Sequence, residues 1–380
     1  MLSGDASSMK LIFAALILTF SAQSFAQSLG ETTRSIRARG MGGVLVPFVS
    51  DADALFVNPA ALKRAAAIDI KLIDLMAGAN KTLVDSLDDL QNIDANDPST
   101  FNQFYGKKLW AQGVGKAAIS LPLISGGYLY DTEVTAELHN PAFPQFETYF
   151  RSDQAIYLGT AFSLGPSTYF GMSVKRVSRQ GGSTQELSIS DIADSSSLSD
   201  IGDRFANKGQ GYGADLAILH EIPLPILKPT LTLVWQDVGN TAFKKTEGDD
   251  APVHIEQNLV FGAGVGMDLP GLDWVIGVEG RRLLNPEIEI GKKLHVGTEI
   301  SLPLIDLRAG YNQGYLSYGV GVNFLIFHLD AVSYTEETGL YPGQDGDSRY
   351  MASLSIDLSF DANFKFTDNN GKRRKLKQRR

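Results

Sequence analysis

The chain has 380 residues, no cysteine, 34 basic and 43 acidic side chains, and a formal net charge of −9. The missing cysteines exclude disulfide bridges, thiolate metal sites and cysteine nucleophiles. Because seven of the basic residues fall in the last nine positions, 372–380, the rest of the chain is strongly acidic, and we expect no nucleic-acid partner. A mean hydropathy of −0.06 excludes a bundle of membrane-spanning helices.

Residues 1–26 are typical of a secretory signal peptide. A basic residue, Lys10, precedes the apolar run 11–20, and Ser24 and Ala26 supply a small-x-small cleavage site. The apolar run is too short to cross a bilayer as a helix. We therefore expect cleavage after Ala26 and export from the cytoplasm, with a retained N-terminal anchor as the alternative.

Residues 27–66 lack the alternation of strands and are predicted to form a compact plug. Asp51 and Asn58 are suited to cap short helical turns, and the proline after Asn58 favours a helix start there. Glycines allow such a segment to follow a tight path. A capped loop before the first strand is the alternative. The candidate plug motif comprises Gly40, Met41, Gly42, Gly43, Asn58, Pro59 and Ala60.

From residue 67 onward, apolar and polar residues alternate with a period of two, as in strands whose two faces meet different surroundings. In 315–325, Leu316, Tyr318 and Val320 share one face, whereas serine and glycine occupy the other. Each alternating stretch is long enough to cross a membrane at a tilt. Fourteen strands are predicted, over 67–77, 112–121, 124–138, 147–164, 167–179, 210–222, 229–239, 256–268, 272–284, 293–302, 305–313, 315–325, 327–337 and 349–361.

The connections between these strands alternate in length. Even-numbered connections are short, such as 122–123 and 165–166, whereas odd-numbered ones are mostly long, such as 78–111. Bacterial membrane barrels have short periplasmic turns and long outer loops, whereas a soluble sandwich has no reason to sort its loops in this way. The pattern therefore predicts an all-β fold, a 14-stranded antiparallel transmembrane β-barrel over 67–366, with the N-terminal plug at 27–66.

Charged residues recur on the predicted inward face of the strands. They can satisfy one another and hold the plug to the wall, or some of them can line a permeation path. Arg37 and Arg39 on the plug are natural partners for acidic wall residues. The candidate lumen charges are Arg37, Arg39, Lys175, Glu279, Arg281, Glu299, Asp306, Arg308, Asp330 and Asp357.

The loop 81–109 carries apolar residues at helical spacing, which predicts two short helices. An outer loop with this much apolar surface is expected to fold over the barrel mouth as a lid, or to form a hydrophobic entry site for a ligand. The candidate ligand-entry residues are Leu83, Leu87, Leu90, Phe101, Phe104 and Tyr105.

Several stretches of the chain resemble known outer-membrane proteins. The glycine-rich 40–43 followed by 58–60 is similar to the N-terminal region of the FadL-like superfamily, and the stretch 307–314 continuing through 329–331 to 336–339 resembles most its TraF-like branch. That superfamily includes long-chain fatty-acid transporters, secretion-associated barrels and a conjugal-transfer TraF-like branch. The resemblance implies that 27–66 is a hatch inside the barrel, and that the protein resides in the outer membrane of a Gram-negative bacterium.

Two functions follow from this resemblance. The first is uptake of hydrophobic small molecules, and the alternative is a non-transport scaffold of a secretion or conjugal-transfer apparatus. The expected partners are outer-membrane lipid and lipopolysaccharide, a hydrophobic small-molecule ligand, or secretion or conjugation proteins. No enzymatic activity, metal or cofactor is expected, because no nucleophile or phosphate-binding motif stands out and the five histidines lack ligand spacing.

The last residues, 367–380, form a basic tail that is predicted to be periplasmic. Outer-membrane barrels of this family usually end on an aromatic residue, whereas here Phe364 and Phe366 precede the tail. A run this basic is expected to contact anionic lipid or a partner, with a solvated extension as the alternative.

Overall fold

A computed structural model describes residues 34–65, 68–92, 98–139, 145–188 and 205–360. The expected signal peptide and basic tail, and most of the long loop 180–209, lie outside the described residues.

Fourteen strands close into an antiparallel barrel in which neighbours along the chain pair with each other, and the first strand, β1, also pairs with the last, β15. Each of the fourteen corresponds to a predicted strand, so the predicted 14-stranded antiparallel barrel is confirmed. A short additional strand, β8, pairs with the first residues of β6 outside this ring and was not predicted. The strands of the described chain are β1 (Ile68–Asn80), β2 (Lys108–Ser120), β3 (Ser125–His139), β4 (Gln145–Gly165), β5 (Thr168–Ser188), β6 (Lys208–Glu221), β7 (Leu227–Gln236), β8 (Phe243–Glu247), β9 (Asn258–Leu269), β10 (Leu272–Gly280), β11 (Leu294–Ser301), β12 (Ile305–Asn312), β13 (Tyr315–Phe324), β14 (Phe327–Glu337) and β15 (Gly346–Phe360).

The outward face of the barrel is apolar and exposed, and the inward face is polar or small and buried. On β13, Leu316 is 59% exposed and Ser317 is 2% exposed. A soluble fold would bury the apolar face, whereas a bilayer solvates it, so this arrangement is that of a transmembrane barrel. The sequence alternation therefore marks the boundary between lipid and lumen.

The barrel wall is much taller on one side than on the other. β4 and β5 each have 21 residues, whereas β11 and β12 each have 8. On the tall side the outward apolar residues give way to polar ones at Arg176, which donates a hydrogen bond to Gln210 at 2.8 Å. Beyond that level, residues 145–153 of β4 continue for roughly 30 Å at about 3.3 Å per residue. The tall wall, formed by β3, β4 and β5, therefore extends beyond the membrane on the side of the long loops.

Short helices occupy the N-terminal segment and two loops. Asn58 caps the 3₁₀ helix that begins at Pro59, because its side-chain oxygen accepts the Ala60 N–H at 3.2 Å. Two short helices lie in the 81–109 loop, as the spacing predicts. No helix of the described chain has the length and apolarity needed to cross a membrane. The helices are α1 (Ile36–Gly40), α2 (Ala54–Val57), a 3₁₀ helix (Pro59–Lys63), α3 (Lys81–Asp85), α4 (Leu87–Gln91), a 3₁₀ helix (Pro98–Phe104) and α5 (Ile290–Lys293).

Candidate functional site

Residues 34–65, the N-terminal segment, lie in the lumen toward the end of the barrel that carries the short turns. Helix α1 packs on β12 to β15, Phe48 lies against β9 and β10, and the 3₁₀ helix packs on β4 to β6. The segment thus touches strands on all sides of the barrel. Most of its residues are buried, including the candidate motif residues Gly40, Met41, Gly42, Gly43, Asn58, Pro59 and Ala60.

Inward-facing glycines make room for the backbone of the N-terminal segment. A Cβ atom on Gly171 would lie 2.2 Å from the Ala60 nitrogen, and one on Gly310 would lie 2.1 Å from the Gly42 nitrogen. Any larger residue at these positions would displace the segment, because atoms do not approach this closely without a bond. The sequence placed such glycines on the lumen side, but it gave no sign that they form a seat for another part of the chain.

One part of the interface, which we call the apolar half, is formed by Leu55, Phe56, Ala60 and Ala61 against β3 to β6. Leu55 is fully buried and lies over Gly159, while Phe56 contacts the ring of Tyr157 edge-on at a centroid distance of 5.0 Å. Contacts of this kind are stabilised by removing apolar area from water, and they depend little on salt or pH. The apolar half therefore fixes residues 54–63 to the wall.

A second part, which we call the charged half, consists of ion pairs and hydrogen bonds to β1, β2 and β10 to β15. At its two ends the segment also pairs with the other strands, through Arg34 with Asp131 of β3 and through Arg64 with Glu221 of β6. The best-defined pair of the charged half joins Arg37 Nη2 and Glu299 Oε1 at 2.7 Å. Glu299 is shared with Arg308 at 2.6 Å, and Arg308 in turn contacts Asp306 and Asp330 on the wall. Arg37 thus joins a network that the wall has already assembled.

A second contact of the charged half involves Glu279 and Arg281 on the β10 side. The Glu279 carboxylate accepts the backbone N–H groups of Leu45 and Val46, and Arg281 donates to the Gly43 carbonyl. Arg281 also pairs with Glu279 at 3.0 Å. These two side chains satisfy backbone groups of the segment that have no regular secondary structure to pair with.

A third contact lies at the short-turn end of the barrel. Lys71 on β1 has its Nζ 3.5 Å from Asp53 of the segment and 3.1 Å from Asp357 on β15. Lys175, by contrast, has its ion pairs among the described residues with the barrel and not with the segment, to Asp215 at 2.9 Å and Asp237 at 2.8 Å. Among the candidate lumen charges on the wall, Lys175 therefore does not link the wall to the segment. Asp357 is linked to the segment through Lys71, which contacts both Asp357 and Asp53.

Arg39 differs from Arg37 in its partners. Its guanidinium stacks over the Tyr334 ring at 4.8 Å, and it donates to the Tyr334 hydroxyl and to Gln112 Oε1. Within the described ranges it forms no ion pair, so the expected acidic partner is missing. An Arg side chain of this kind is buried for its packing and hydrogen bonds rather than for a charge pair.

A network that joins Arg34, at the start of the segment, to β3 and β4 was not anticipated from the sequence. Arg34 and Arg151 both bind Asp131, at 2.6 and 2.9 Å, and Arg179 binds Asp153 at 2.7 Å. Asp131 with Glu133, and Arg151 with Asp153, stand two residues apart on long strands, and that spacing was the available signal. The network extends the polar lumen toward the tall wall.

Cations lie over several of the buried aromatic rings of the barrel. Arg349 lies 4.1 Å from the Trp110 ring centroid, and Arg179 lies 4.9 Å from that of Phe243. A cation over an aromatic face is attracted by the ring quadrupole. In this conformation these faces are therefore occupied and do not present an open aromatic surface to a solute.

The 81–109 loop packs on the outside of the tall wall. Phe101 and Phe104 are buried against Leu138 and Phe146, with the rings of Phe101 and Phe146 6.0 Å apart. Leu138 lies on the same face of β3 as Val134, whose side chain is exposed on the outside of the barrel. The described part of the loop therefore does not cover the mouth as a lid. Of the other candidate entry residues, Leu90 and Tyr105 pack against this cluster, Leu83 is half-buried and Leu87 is exposed.

No protein-family model and no curated protein matches the chain. Among solved structures it is similar to a TodX deltaS2S3 mutant monoaromatic hydrocarbon channel, with 12% identity and a TM-score of 0.47 over 85% of this chain and 98% of that one. It is also similar to the CymD monoaromatic hydrocarbon channel, with 11% identity and a TM-score of 0.47 over 89% and 99%. A third similar structure is the Ralstonia pickettii toluene transporter TbuX, with 11% identity and a TM-score of 0.46 over 89% of this chain and 100% of that one. Similarities this low do not assign a function to the chain.

Proposed function

We propose that this protein takes up hydrophobic small molecules across the outer membrane of a Gram-negative bacterium, after export with a cleaved signal peptide. The observation that carries the proposal is the mixed interface of the N-terminal segment, whose apolar half anchors it while its charged half is built from separable ion pairs. We assign residues 27–66 as the plug, 67–366 as the barrel and 367–380 as a periplasmic tail.

A path through the barrel requires the segment to move. The segment lies directly against inward glycines on both sides of the lumen, at Gly171 and Gly310, so we expect residues 36–53 to obstruct a solute while they stay in place. Ion pairs such as Arg37 with Glu299 exchange readily with water when one partner is partly exposed, and the side chain of Arg37 is 26% exposed. Release of the charged half, with residues 54–63 held by the apolar half, therefore opens one side of the lumen.

Hydrophobic molecules are the solutes that most need such a route. Val84 and Leu87 of the 81–109 loop are exposed beside the buried cluster of Phe101 and Phe104, and they offer apolar contacts where the tall wall leaves the membrane. A scaffold barrel, the alternative function, needs no separable interface, and an apolar contact around the whole segment would close it more firmly. Enzymatic activity forms no part of the proposal.

The test is solute uptake by cells that express the full chain, compared with cells carrying an empty vector. The probes are a radiolabelled neutral monoaromatic hydrocarbon, a long-chain fatty acid and a disaccharide. We expect faster uptake of an apolar probe and unchanged uptake of the disaccharide. Arg37→Ala removes about 1 kcal/mol from the charged half and is expected to speed uptake about fivefold if segment release limits the rate.

Arg176→Ala, on the outward face, is the matched control and should behave like the unsubstituted chain. Equal uptake by expressing and vector cells, with the folded barrel present in the membrane, would favour the scaffold alternative. A parallel rise for the disaccharide would indicate an unselective leak and would also contradict the proposal.

A further inference from the structure

The short connections of the barrel, at the end opposite the long loops, are apolar. Leu123, Leu304 and Leu325 stand in three of them and are 80%, 60% and 70% exposed. None of the residues in the short connections is charged, and Ser167 alone has a polar side chain. Turns that project into water are usually built from Asn, Asp, Ser and Gly, so this composition indicates different surroundings. The short connections, which we call the short-turn ring, are 121–124, 166–167, 222–226, 270–271, 302–304 and 325–326.

The short-turn ring surrounds the barrel. Its six connections join β2 to β3, β4 to β5, β6 to β7, β9 to β10, β11 to β12 and β13 to β14, so they are spread around the closed sheet. The strand ends beside them are apolar as well. Phe324 and Phe327 face each other across the β13–β14 pair and both are exposed, as is Leu164 near the end of β4. The ring is thus continuous with the outward apolar face of the barrel.

Charged side chains at the neighbouring strand ends belong to the lumen side of the wall. Lys228 and Asp268 pair at 3.5 Å, at strand positions that alternate with exposed leucines. Glu221 pairs with Arg64 of the N-terminal segment at 2.7 Å. Polar and apolar groups are therefore sorted at this end of the barrel as they are along the strands, with the apolar groups outward.

Two features of the ring's backbone reduce its need for water. Proline, which has no N–H, occurs in five of the six connections. The Leu121 N–H donates to the Ile124 carbonyl at 3.0 Å, and the Leu302 N–H donates to the Ile305 carbonyl at 2.8 Å. Irregular backbone is costly in an apolar medium unless its polar groups are satisfied within the protein. These connections are therefore suited to the boundary between lipid headgroups and acyl chains.

The length of the shortest strands points to the same boundary. β11 and β12 have 8 residues each, which is about 27 Å along the strand at about 3.4 Å per residue. A tilt of roughly 40° leaves about 20 Å across the membrane, whereas the apolar band of such a barrel is about 25 Å tall. Leu304, in the connection between these two strands, extends the apolar surface toward the full height of the band.

We propose that the short-turn ring is a lipid-binding surface, which inserts into the headgroup boundary of the membrane and brings its leucines into contact with acyl chains. Short turns of bacterial barrels lie on the periplasmic side, so the lipid is that of the periplasmic leaflet. A partner protein would cover one side of the barrel, whereas the exposed leucines surround it. The proposal rests on the outer-membrane location proposed above but not on uptake, and its test uses no solute.

Because the chain has no cysteine, single thiols can be placed in the ring. Leu123→Cys, Leu304→Cys and Leu325→Cys sample three connections, and Leu340→Cys, at a site 55% exposed in the long connection 338–345, is the matched control. The full chain is reconstituted into phosphatidylcholine nanodiscs, in which water reaches both ends of the barrel. The rate of labelling with a charged maleimide is divided by the rate for the same variant unfolded in urea.

We expect each ring thiol to react about tenfold or more slowly than the Leu340→Cys thiol, because acyl chains exclude the charged reagent. A bimane fluorophore on the ring thiols should be quenched by doxyl-labelled phosphatidylcholine, whereas iodide in the water should quench the control more strongly. Equal labelling rates for ring and control thiols would overturn the proposal. Protection of the ring thiols in cells but not in nanodiscs would also overturn it, since a partner protein would then be what covers them.

Discussion

The apolar and charged halves of the N-terminal segment interface both hold the segment against the barrel wall, but through different interactions. Leu55 and Phe56 meet glycines and an aromatic ring, whereas Arg37 meets a carboxylate already bound to Arg308. Separating apolar contacts costs free energy because it exposes apolar surface to water. Ion pairs exchange partners with water, and their strength varies with salt and protonation. One chain segment is thus fixed along one edge and adjustable along the other.

This difference has a functional meaning because both halves belong to one short stretch of chain. Residues 54–63 lead directly toward β1, so an anchor there keeps the segment attached to the wall whatever the charged half does. Release is then limited to residues 36–53. Under the proposed function, such an interface would let the lumen open locally while the rest of the segment stays attached.

The largest effect is expected in the apolar half. Leu55→Ala should destabilise the seated segment by about 3 kcal/mol, because it leaves a cavity over Gly159 that the surrounding strands cannot fill. The loss should be the same at low and high salt. Urea unfolding followed by the fluorescence of Trp110, which is buried in the lumen, measures it. Leu123→Ala, at a site 80% exposed in a short turn, is the control.

Substitutions at the glycine seats should affect both halves to a similar extent. Gly171→Ala and Gly310→Ala each push a methyl group against segment backbone and should cost about 2 kcal/mol. Gly266→Ala, whose added carbon would lie 3.7 Å from its nearest neighbour, is the matched control. The same urea titration applies, and equal midpoints for all three variants would contradict the assignment of a seat.

A smaller effect, with a salt dependence, is expected in the charged half. Arg37→Ala should cost about 1 kcal/mol, because Glu299 keeps Arg308 as a partner and is not left as an unpaired charge. The cost should shrink as salt is raised from 0.05 to about 0.5 M, since screening weakens the pair that is lost. A cost independent of salt would mean that Arg37 acts through its packed stem.

The smallest effect is expected for Arg39→Gln. Its guanidinium has no ion pair within the described chain, so removing the buried charge relieves a desolvation cost that offsets the loss of its hydrogen bonds and ring contact. The net change in stability should be less than about 0.5 kcal/mol. Comparison with Arg37→Gln under identical conditions shows whether the charge or the packing of each arginine matters. A loss at position 39 as large as that at position 37 would remove the distinction between them.

Strand positions were predictable because the side chains of a barrel strand face lipid and lumen in turn, which requires apolar and polar residues to alternate along the sequence. The stretch 315–325 was expected, and β13 spans Tyr315–Phe324. β1 was expected to end at 77, yet it continues to Asn80, whose side chain then caps α3. The sequence did not indicate this extension because the outer end of β1 consists of alanine and glycine, whose hydropathies differ too little to continue the alternation.

The contacts within the lumen were predictable only in type. The sequence indicated inward charges, but Arg37 and Glu299 are 262 positions apart, and no local pattern selects one carboxylate over another. Whether an inward glycine lines open space or receives a backbone also depends on the closed barrel. The outward path of the 81–109 loop was likewise hidden, because a buried cluster on either face of the tall wall has the same composition.

The unequal height of the barrel wall sets the orientation of the opening. β4 and β5 have 21 residues each, whereas β11 and β12 have 8 each, so the barrel rim is high on the β4–β5 side and low on the β11–β12 side. On the β11–β12 side the strands end lower, and the connections 281–293 and 338–345 pack against each other above them. Under the proposed function, a molecule that diffuses along the membrane surface would therefore reach the barrel rim first on the β11–β12 side, beneath these two connections.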